Sequence, residues 1–476
     1  MTGTDPRSWT VDLLSSAYRS GELSPVEVTQ ACLERIEDVD PALNAFVGVD
    51  AVAAIATARE SQERWRAGDP RGDLDGVPVT VKDIMPVRGW PTRKGSNHTV
   101  GLRPADEDAP TPARLREAGA VLLGSTTTPE FGWKGVGDSP FTGITRNPWD
   151  PSRTPGGSSA GAAVAAATGM GVLHVGTDGG GSIRMPAAFC GVFGLKPTHA
   201  IVPIHPAAVS GLLSHIGPMT RTVRDAAHLM RVIARPDPRE VYPSLHDGRS
   251  WLDGIEDGLV GLKVAYAPVF ARAEVDSQIA AAVQDAVHLL AQLGAEVELI
   301  GPPGPDVHDA FLTLWDAALC RALAAMTDEQ LARSDPGLVA TAERGRAISA
   351  QDYLDADAVR GTLTQEISTL LTRYDVLVSP TVPVLAFAAG SDVADPRTQA
   401  HWVDWTPFTY PLNMTRHPAA AVPVGLSREG LPMSMQVVGR HFADRTVLRV
   451  ARAYERECPF AMPPAGGSGS VDTFSA

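Results

Sequence analysis

An α/β fold around a largely buried sheet is what the sequence predicts, and three observations predict it. Helical and strand patterns alternate along most of the 476 residues, as they do where helices cover a sheet. The strand candidates are short apolar runs bounded by turn residues, the pattern of strands covered on both faces. Hydrophobic residues make up 44% of the chain and charged ones 20%. That is enough apolar surface for a core and excludes wholesale disorder.

Taken in order, Ser24-Pro25-Val26-Glu27 opens the first clear helix, with a capping serine, a proline at the first helical position and a capping-box acid. Val28, Ala31, Cys32 and Ile36 follow at helical spacing. Gly76 to Val81 reads as a core strand running into Lys82. Thr111-Pro112 is expected to open a helix that closes at Gly119, and Ala120 to Leu123 to form a buried strand. Ser158-Ser159 stands where a serine would cap a following helix of very small residues. A strand from Val172 runs into Gly179-Gly180-Gly181, and the Pro- and Asp-rich stretch Arg235 to Gly258 reads as a surface excursion or linker. Ser277 to Leu293 is a helix stopped by Gly294, followed by a strand over Ala295 to Ile300. Tyr374 to Ser379 is a further strand, Ala388 to Gln399 a long loop, and Pro459 to Ala476 a frayed tail. Length divided by ~150 would allow about three domains, yet no composition shift compels a division.

Composition also excludes function classes. A formal charge of −14 and a sequence pI near 5.3 argue against a phosphate backbone or an anionic membrane surface as the main partner. Cys32, Cys190, Cys320 and Cys458 are far apart with no C-x-x-C pair, so reduced thiols in a cytoplasmic compartment are expected rather than a disulfide framework or a zinc knuckle. Met1 to Trp9 is polar and carries no apolar run, so no secretory signal is expected. The weakly apolar stretch Ala160 to Val175 is mostly Ala and Gly, short of the ~20 strongly apolar residues of a spanning helix. The 12 histidines show no H-E-x-x-H pair, and His199 and His205 are assigned no metal. No cofactor motif is present, since the glycine runs do not match a Walker phosphate loop.

Three segments carry chemistry. In Gly76-Val-Pro-Val-Thr-Val-Lys82-Asp83 a strand ends in a lysine. Such a lysine is either a surface cation paired with a neighbour such as Asp83, or a desolvated amine whose lowered pKa makes it a base near neutrality. Thr154-Pro-Gly-Gly-Ser158-Ser159-Ala160-Gly161 formally matches the G-x-S-x-G elbow of α/β-hydrolases with Ser159 as nucleophile. That elbow requires a strand before it, and Asn147 to Pro155 holds three prolines in nine residues, which no central strand accommodates. In Gly176-Thr177-Asp178-Gly179-Gly180-Gly181-Ser182-Ile183-Arg184-Met-Pro186 a strand runs into three glycines and then a serine. Main-chain N–H groups of successive glycines converge into a nest able to hold an oxyanion. A nucleophile at Ser182 would sit beside it.

Together these segments resemble the amidase signature family. The Gly-Gly-Ser-Ser-Ala-Gly and Gly-Thr-Asp-x-Gly-Gly-Ser-Ile-Arg-x-Pro motifs appear in order, their serines 24 residues apart, with Lys82 lying 76 residues before Ser158. Thr145 to Trp149, Cys190 to Thr198 and Gly430 to Gly439 are similar as well. The resemblance implies a single large α/β domain with a central mixed, mostly buried sheet covered by helices. It would occupy residues 1–460, with its signature core at about 75–235 and a flexible tail over 461–476. It implies Ser182 as the acylated nucleophile, Ser158 as a bridging serine after a cis peptide bond, and Lys82 as the terminal base. The N–H groups of Gly179, Gly180, Gly181 and Ser182 would form the oxyanion hole, supported by Thr177, Asp178 and Arg184. Cys190 is expected to be a buried thiol packing like a small apolar side chain.

By the same resemblance the protein is an amide hydrolase acting on a small, largely apolar carboxamide, anilide or carbamate. It would need no cofactor, nucleic acid or membrane; a homodimer stays open. Gly132 and Trp133, with the aromatic stretch Trp402 to Tyr410, are expected to contact substrate. Two other readings share the signature. One is the glutaminase subunit of a tRNA-dependent amidotransferase, which recognises glutamine partly through an acid before a Thr-x-Pro-x-Asn stretch. Here that stretch is Thr409-Tyr-Pro411-Leu-Asn413, and the matching position is Thr406, with Asp404 close by. The other is a catalytically silent scaffold, which usually lacks one of the three catalytic residues.

Overall fold

The computed structural model describes residues 5–242, 247–271 and 273–464. Of the expected tail, residues 465–476 lie outside the described residues, as do 243–246 of the Pro- and Asp-rich stretch.

Local signals account for the helix starts. Ser24 Oγ accepts from Glu27 N at 3.2 Å while the Glu27 carboxylate accepts from Ser24 N at 2.8 Å, closing the capping box on the helix Pro25–Leu43. One helix start shifts. The helix expected at Thr111 runs Pro110–Glu117, because Pro110 takes the first helical position and Thr111 is buried in the first turn. The helix Ser277–Gln292 is capped by Asp276, whose carboxylate accepts from Gln278 N.

The strands among the described residues are β1 (Phe46–Val49), β2 (Pro78–Lys82), β3 (Val121–Thr126), β4 (Asp138–Ser139), β5 (Gly143–Ile144), β6 (Leu173–Asp178), β7 (Phe193–Lys196), β8 (His215–Thr220), β9 (Lys263–Tyr266), β10 (Glu296–Leu299), β11 (Val376–Pro380), β12 (Ala419–Leu426) and β13 (Pro432–Gly439). Eleven build one mixed sheet in the order β1-β3-β2-β6-β8-β7-β12-β13-β11-β9-β10, and β4 pairs with β5 alone. β2 lies parallel between β3 and β6, and β9 parallel between β10 and β11, whereas the strands from β6 through β13 to β11 pair antiparallel. The chain is thus one α/β domain around a mixed sheet.

Burial follows position in this sheet. Every residue of β2, β8 and β13 is buried, while the edge strand β10 turns Glu296 and Glu298 to solvent, charges that discourage edge pairing. Alternate residues feed two cores: β11 sends Val376 and Val378 to one and Leu377 to the other. The helix Ala160–Thr168 is buried on all sides, which its small side chains permit. Ile255 within the Pro- and Asp-rich stretch and Leu259 directly after it return into the first core, so the stretch separates no domains. No described helix is long and apolar enough to cross a membrane, and the four cysteines are free thiols with Cys190 buried.

Candidate active site

Sheet order brings the chemistry together. β2 and β6 are parallel neighbours with Val81 opposite Val175, so Lys82 and Thr177 arrive side by side at the carboxyl ends of the strands. Such ends are the usual place for ligands in open α/β sheets. Ser158 and Ser159 come from the N-terminus of the helix Ala160–Thr168, and the Gly157–Ser158 peptide is cis. Gly157 is required there by space, since a Cβ would collide with the main chain of Val136.

Lys82 is 0% exposed, which removes the surface-cation reading, and Asp83 does not pair with it but accepts instead from Arg93 N at 2.9 Å. The Lys82 Nζ lies 2.7 Å from Ser158 Oγ, 2.8 Å from Thr177 Oγ1 and 3.1 Å from Ser159 Oγ. Burial pulls its pKa from 10.5 down to about 7, against the opposing charge of Asp178. Ser159 does not cap its helix. Its hydroxyl donates to Thr177 O at 3.0 Å and accepts from Thr177 N at 3.1 Å. With that proton committed, Ser159 can only accept from Lys82.

The glycine loop hangs on Asp178. Its carboxylate accepts from Gly181 N at 2.7 Å, Ile183 N at 3.1 Å, Arg184 Nε and Nη2 at 3.0 Å each, and Asn413 Nδ2 at 2.8 Å. The charge of Arg184 and these hydrogen bonds hold its pKa below the usual carboxylate value despite complete burial. Arg184, also fully buried, donates further to Gln436 Oε1, Asn413 Oδ1 and Thr409 O. Thr409 Oγ1 donates to Gly180 O at 2.8 Å. At Gly181, φ is +128° and a Cβ would collide with Thr409, so only glycine fits.

This corrects the expected oxyanion hole in one respect. The Gly181 N–H is spent on Asp178, which leaves the N–H groups of Gly179, Gly180 and Ser182, for which no acceptor stands among the described residues. Gly179 and Ser182 line a cavity of about 130 Å³ together with Ser158, Thr177, Lys94, Phe131 and Gly132. The remaining wall is largely apolar, from Ile84, Met85, Ile204, Val209, Ile216, Trp315 and Leu319. Ser159 N donates to Ser182 O at 3.1 Å, which ties the serine loop to the glycine loop. Among the described residues no group of His, Cys, Asp and Glu is arranged to hold a metal ion.

Not every expected contact lies on the cavity. Gly132 does, and a Cβ on it would come within 3.2 Å of Ser158 Oγ. Trp133 does not: it is buried against Gly337 and its carbonyl accepts from Trp315 Nε1. The stretch Trp402 to Tyr410 is likewise absent from the wall. It packs behind the glycine loop, where Trp402 approaches Gly180 and Thr409 holds its carbonyl. Sequence reasoning missed Ser159, Thr409, Asn413 and Gln436 as supports. Their signal lay in the second serine of Ser158-Ser159, the Thr409-to-Asn413 stretch and the Gln436 motif, where a polar residue recurs without exposed surroundings.

Comparison with known proteins agrees with this architecture. The family profile described as Amidase matches residues 27–448. An acylamidase of Rhodococcus erythropolis is 34% identical over 465 residues, covering 94% of this chain and 95% of its own. A glutamyl-tRNA(Gln) amidotransferase subunit of Myxococcus xanthus is 36% identical over 475 residues, covering 94% and 96%. Among solved structures, a bacterial aryl acylamidase of the amidase signature family superposes with a TM-score of 0.88 at 29% identity, covering 95% of this chain and 96% of that one. The corresponding values for a glutamyl-tRNA(Gln) amidotransferase subunit of Thermotoga maritima are 0.81, 30%, 98% and 99%.

Proposed function

The chain belongs to the amidase signature family of amide-hydrolysing enzymes, and from that premise we propose that it cleaves a small, largely apolar carboxamide, anilide or carbamate through an acyl-enzyme on Ser182. The reaction is a serine–lysine variant of triad logic that needs no histidine. A neutral amine has two N–H bonds and one lone pair. With the N–H bonds directed to Ser159 and Thr177, the lone pair of Lys82 faces the hydroxyl of Ser158. Lys82 takes the proton of Ser158 as Ser158 takes that of Ser182, and Ser182 Oγ bonds to the substrate carbonyl carbon. The N–H groups of Gly179, Gly180 and Ser182 stabilise the oxyanion. Ser158 then delivers a proton to the amine nitrogen as the C–N bond breaks, leaving the acyl ester on Ser182. Water repeats the sequence, releases the acid and restores the serine.

The observation that carries this reading is a fully buried lysine held among three hydroxyls, with no carboxylate of the described residues within ion-pair distance and a pKa lowered by burial to about 7. Its test is Ser182→Ala. The variant should lose turnover of aryl amides, assayed by released amine, and should no longer be labelled by a fluorophosphonate. Labelling at full stoichiometry would falsify Ser182 as nucleophile.

A glutaminase role in a tRNA-dependent amidotransferase is the second reading, favoured by the identity to the Myxococcus xanthus protein. It is disfavoured by Thr406 at the position of the acid and by a cavity wall that holds, among the described residues, no Asp or Glu to meet an α-ammonium. Ammonia release from glutamine by the purified chain distinguishes the two. The full set of lysine and serines speaks against a silent scaffold. A small molecule as sole partner and a cytoplasmic location fit this reading, which requires no membrane or nucleic acid.

A further inference from the structure

One charged group on the cavity wall has no part in the chemistry above. Lys94 lines the cavity, and among the described residues its ammonium has no carboxylate within 4 Å and no hydrogen-bond acceptor. Its nearest electrostatic partner is Asp83 at longer range. Its backbone is built in rather than trailing at the surface. Lys94 N donates to Asp83 O at 3.0 Å, and Lys94 O accepts from Phe131 N at 2.8 Å. The residue therefore joins the exit of the Lys82 strand to the Phe131–Gly132 wall beside Ser158. It holds this place in the left-handed region, at φ +53°, an uncommon conformation for a non-glycine residue.

The rest of the wall supplies no counter-charge. Among the described residues, His205 and His215 are its only other ionisable residues, and neither Asp nor Glu lines it. His215 is held neutral by burial, and its Nε2 already faces Lys196 Nζ at 3.3 Å. In a chain of net charge −14, the cavity is thus a largely apolar box in which Lys94 is the one lysine or arginine among the described lining residues. A partly dehydrated ammonium with no anion at ion-pair distance gains from a ligand that brings one.

We propose that Lys94 is a specificity-determining residue that selects amides whose apolar body carries a carboxylate. This rests on the amide-hydrolase reading and narrows it. The carboxylate pairs with the Lys94 ammonium while the scissile carbonyl lies at Ser182. A free ammonium on the substrate without a carboxylate meets repulsion at the same wall.

Two matched pairs of anilides, each with a methyl group in place of the carboxylate, test this and locate the carboxylate. N-phenylsuccinamate against butyranilide places it on the acyl side; 4-acetamidobenzoate against 4-methylacetanilide places it on the amine side. In one pair the carboxylated member should have kcat/KM higher by about tenfold or more, chiefly through KM, as a hydrogen-bonded charge pair warrants. Lys94→Met should remove that ratio, Lys94→Arg should keep most of it, and Lys94→Glu should reverse it. Added salt should weaken it. Hydrolysis of the neutral anilides with no carboxylate preference in either pair overturns the role of Lys94 and leaves the hydrolase standing. A preference that survives Lys94→Met overturns it too. If none of the four anilides is cleaved and a fluorophosphonate does not label Ser182, both readings fall.

Discussion

Replacing Lys82 by Met tests the mechanism at its centre, because it keeps the length and apolar stem and removes only the amine. The site is already dry, so no solvation is lost with the nitrogen. Three hydrogen bonds disappear, at 2.7, 2.8 and 3.1 Å, each with a net worth of about 1 kcal/mol. The desolvation of an amine disappears with them and offsets part of that loss. Ser159 keeps both of its contacts with Thr177. The melting temperature should therefore move by no more than about 2–4 °C, whereas turnover of an aryl amide should fall by about 10²–10⁴, the usual reach of a general base. The wild-type pH profile supplies the second half of the test. Only the unprotonated amine is a base, and burial sets its pKa at about 7 rather than 10.5. Activity should thus be flat above pH 7 and fall about tenfold per unit below it. Released aniline reports both measurements. A variant retaining more than a tenth of wild-type turnover, or a wild-type acid limb lying near pH 10, would refute the base assignment. Collapse of the variant's fold would make Lys82 a structural residue instead.

Two further outcomes concern the supports. Asp178→Ala leaves the fully buried Arg184 without a countercharge and frees Gly181 N, so urea denaturation should show a loss of about 3–5 kcal/mol; an unchanged midpoint would mean that Gln436 and Asn413 suffice for the guanidinium. The pair between His308 Nε2 and Asp404 Oδ1, at 2.7 Å, ties the helix that carries Trp315 to the segment behind the glycine loop. Its hydrogen bond to Asp404 raises the His308 pKa from 6.5 to about 9. A raised folded-state pKa means that this stabilisation is fully present below pH 6.5 and is lost as the pH rises through 9. Thermal melting across that window should decline for the wild type and decline less for His308→Gln.

Much of the fold was legible locally. The capping box at Ser24 and the strand-to-turn transitions at Lys82 and Gly179 depend on residues within a few positions of one another. One helix start shifted where two signals competed, at Pro110 against Thr111-Pro112, because a proline satisfies the first helical position wherever it stands. Trp133 and the stretch Trp402 to Tyr410 stand off the cavity wall, and the sequence could not show this for a different reason. An aromatic ring has the same signature whether it faces a ligand or the core behind it.

What the order of residues determined by itself is the inventory: a lysine closing an apolar strand, two serines before a helix of tiny residues, three glycines before a third serine. Tertiary structure decided how these parts are used. Lys82 has its lowered pKa only because β3 and β6 flank β2 and the buried helix covers it, which strips water from its amine. Gly181 ceases to be a free donor because Asp178, braced by Arg184 and Asn413 from distant segments, takes its N–H. Burial and hydrogen-bond partners are properties of neighbours in space, and at this site the neighbours lie as far as 252 positions apart along the chain.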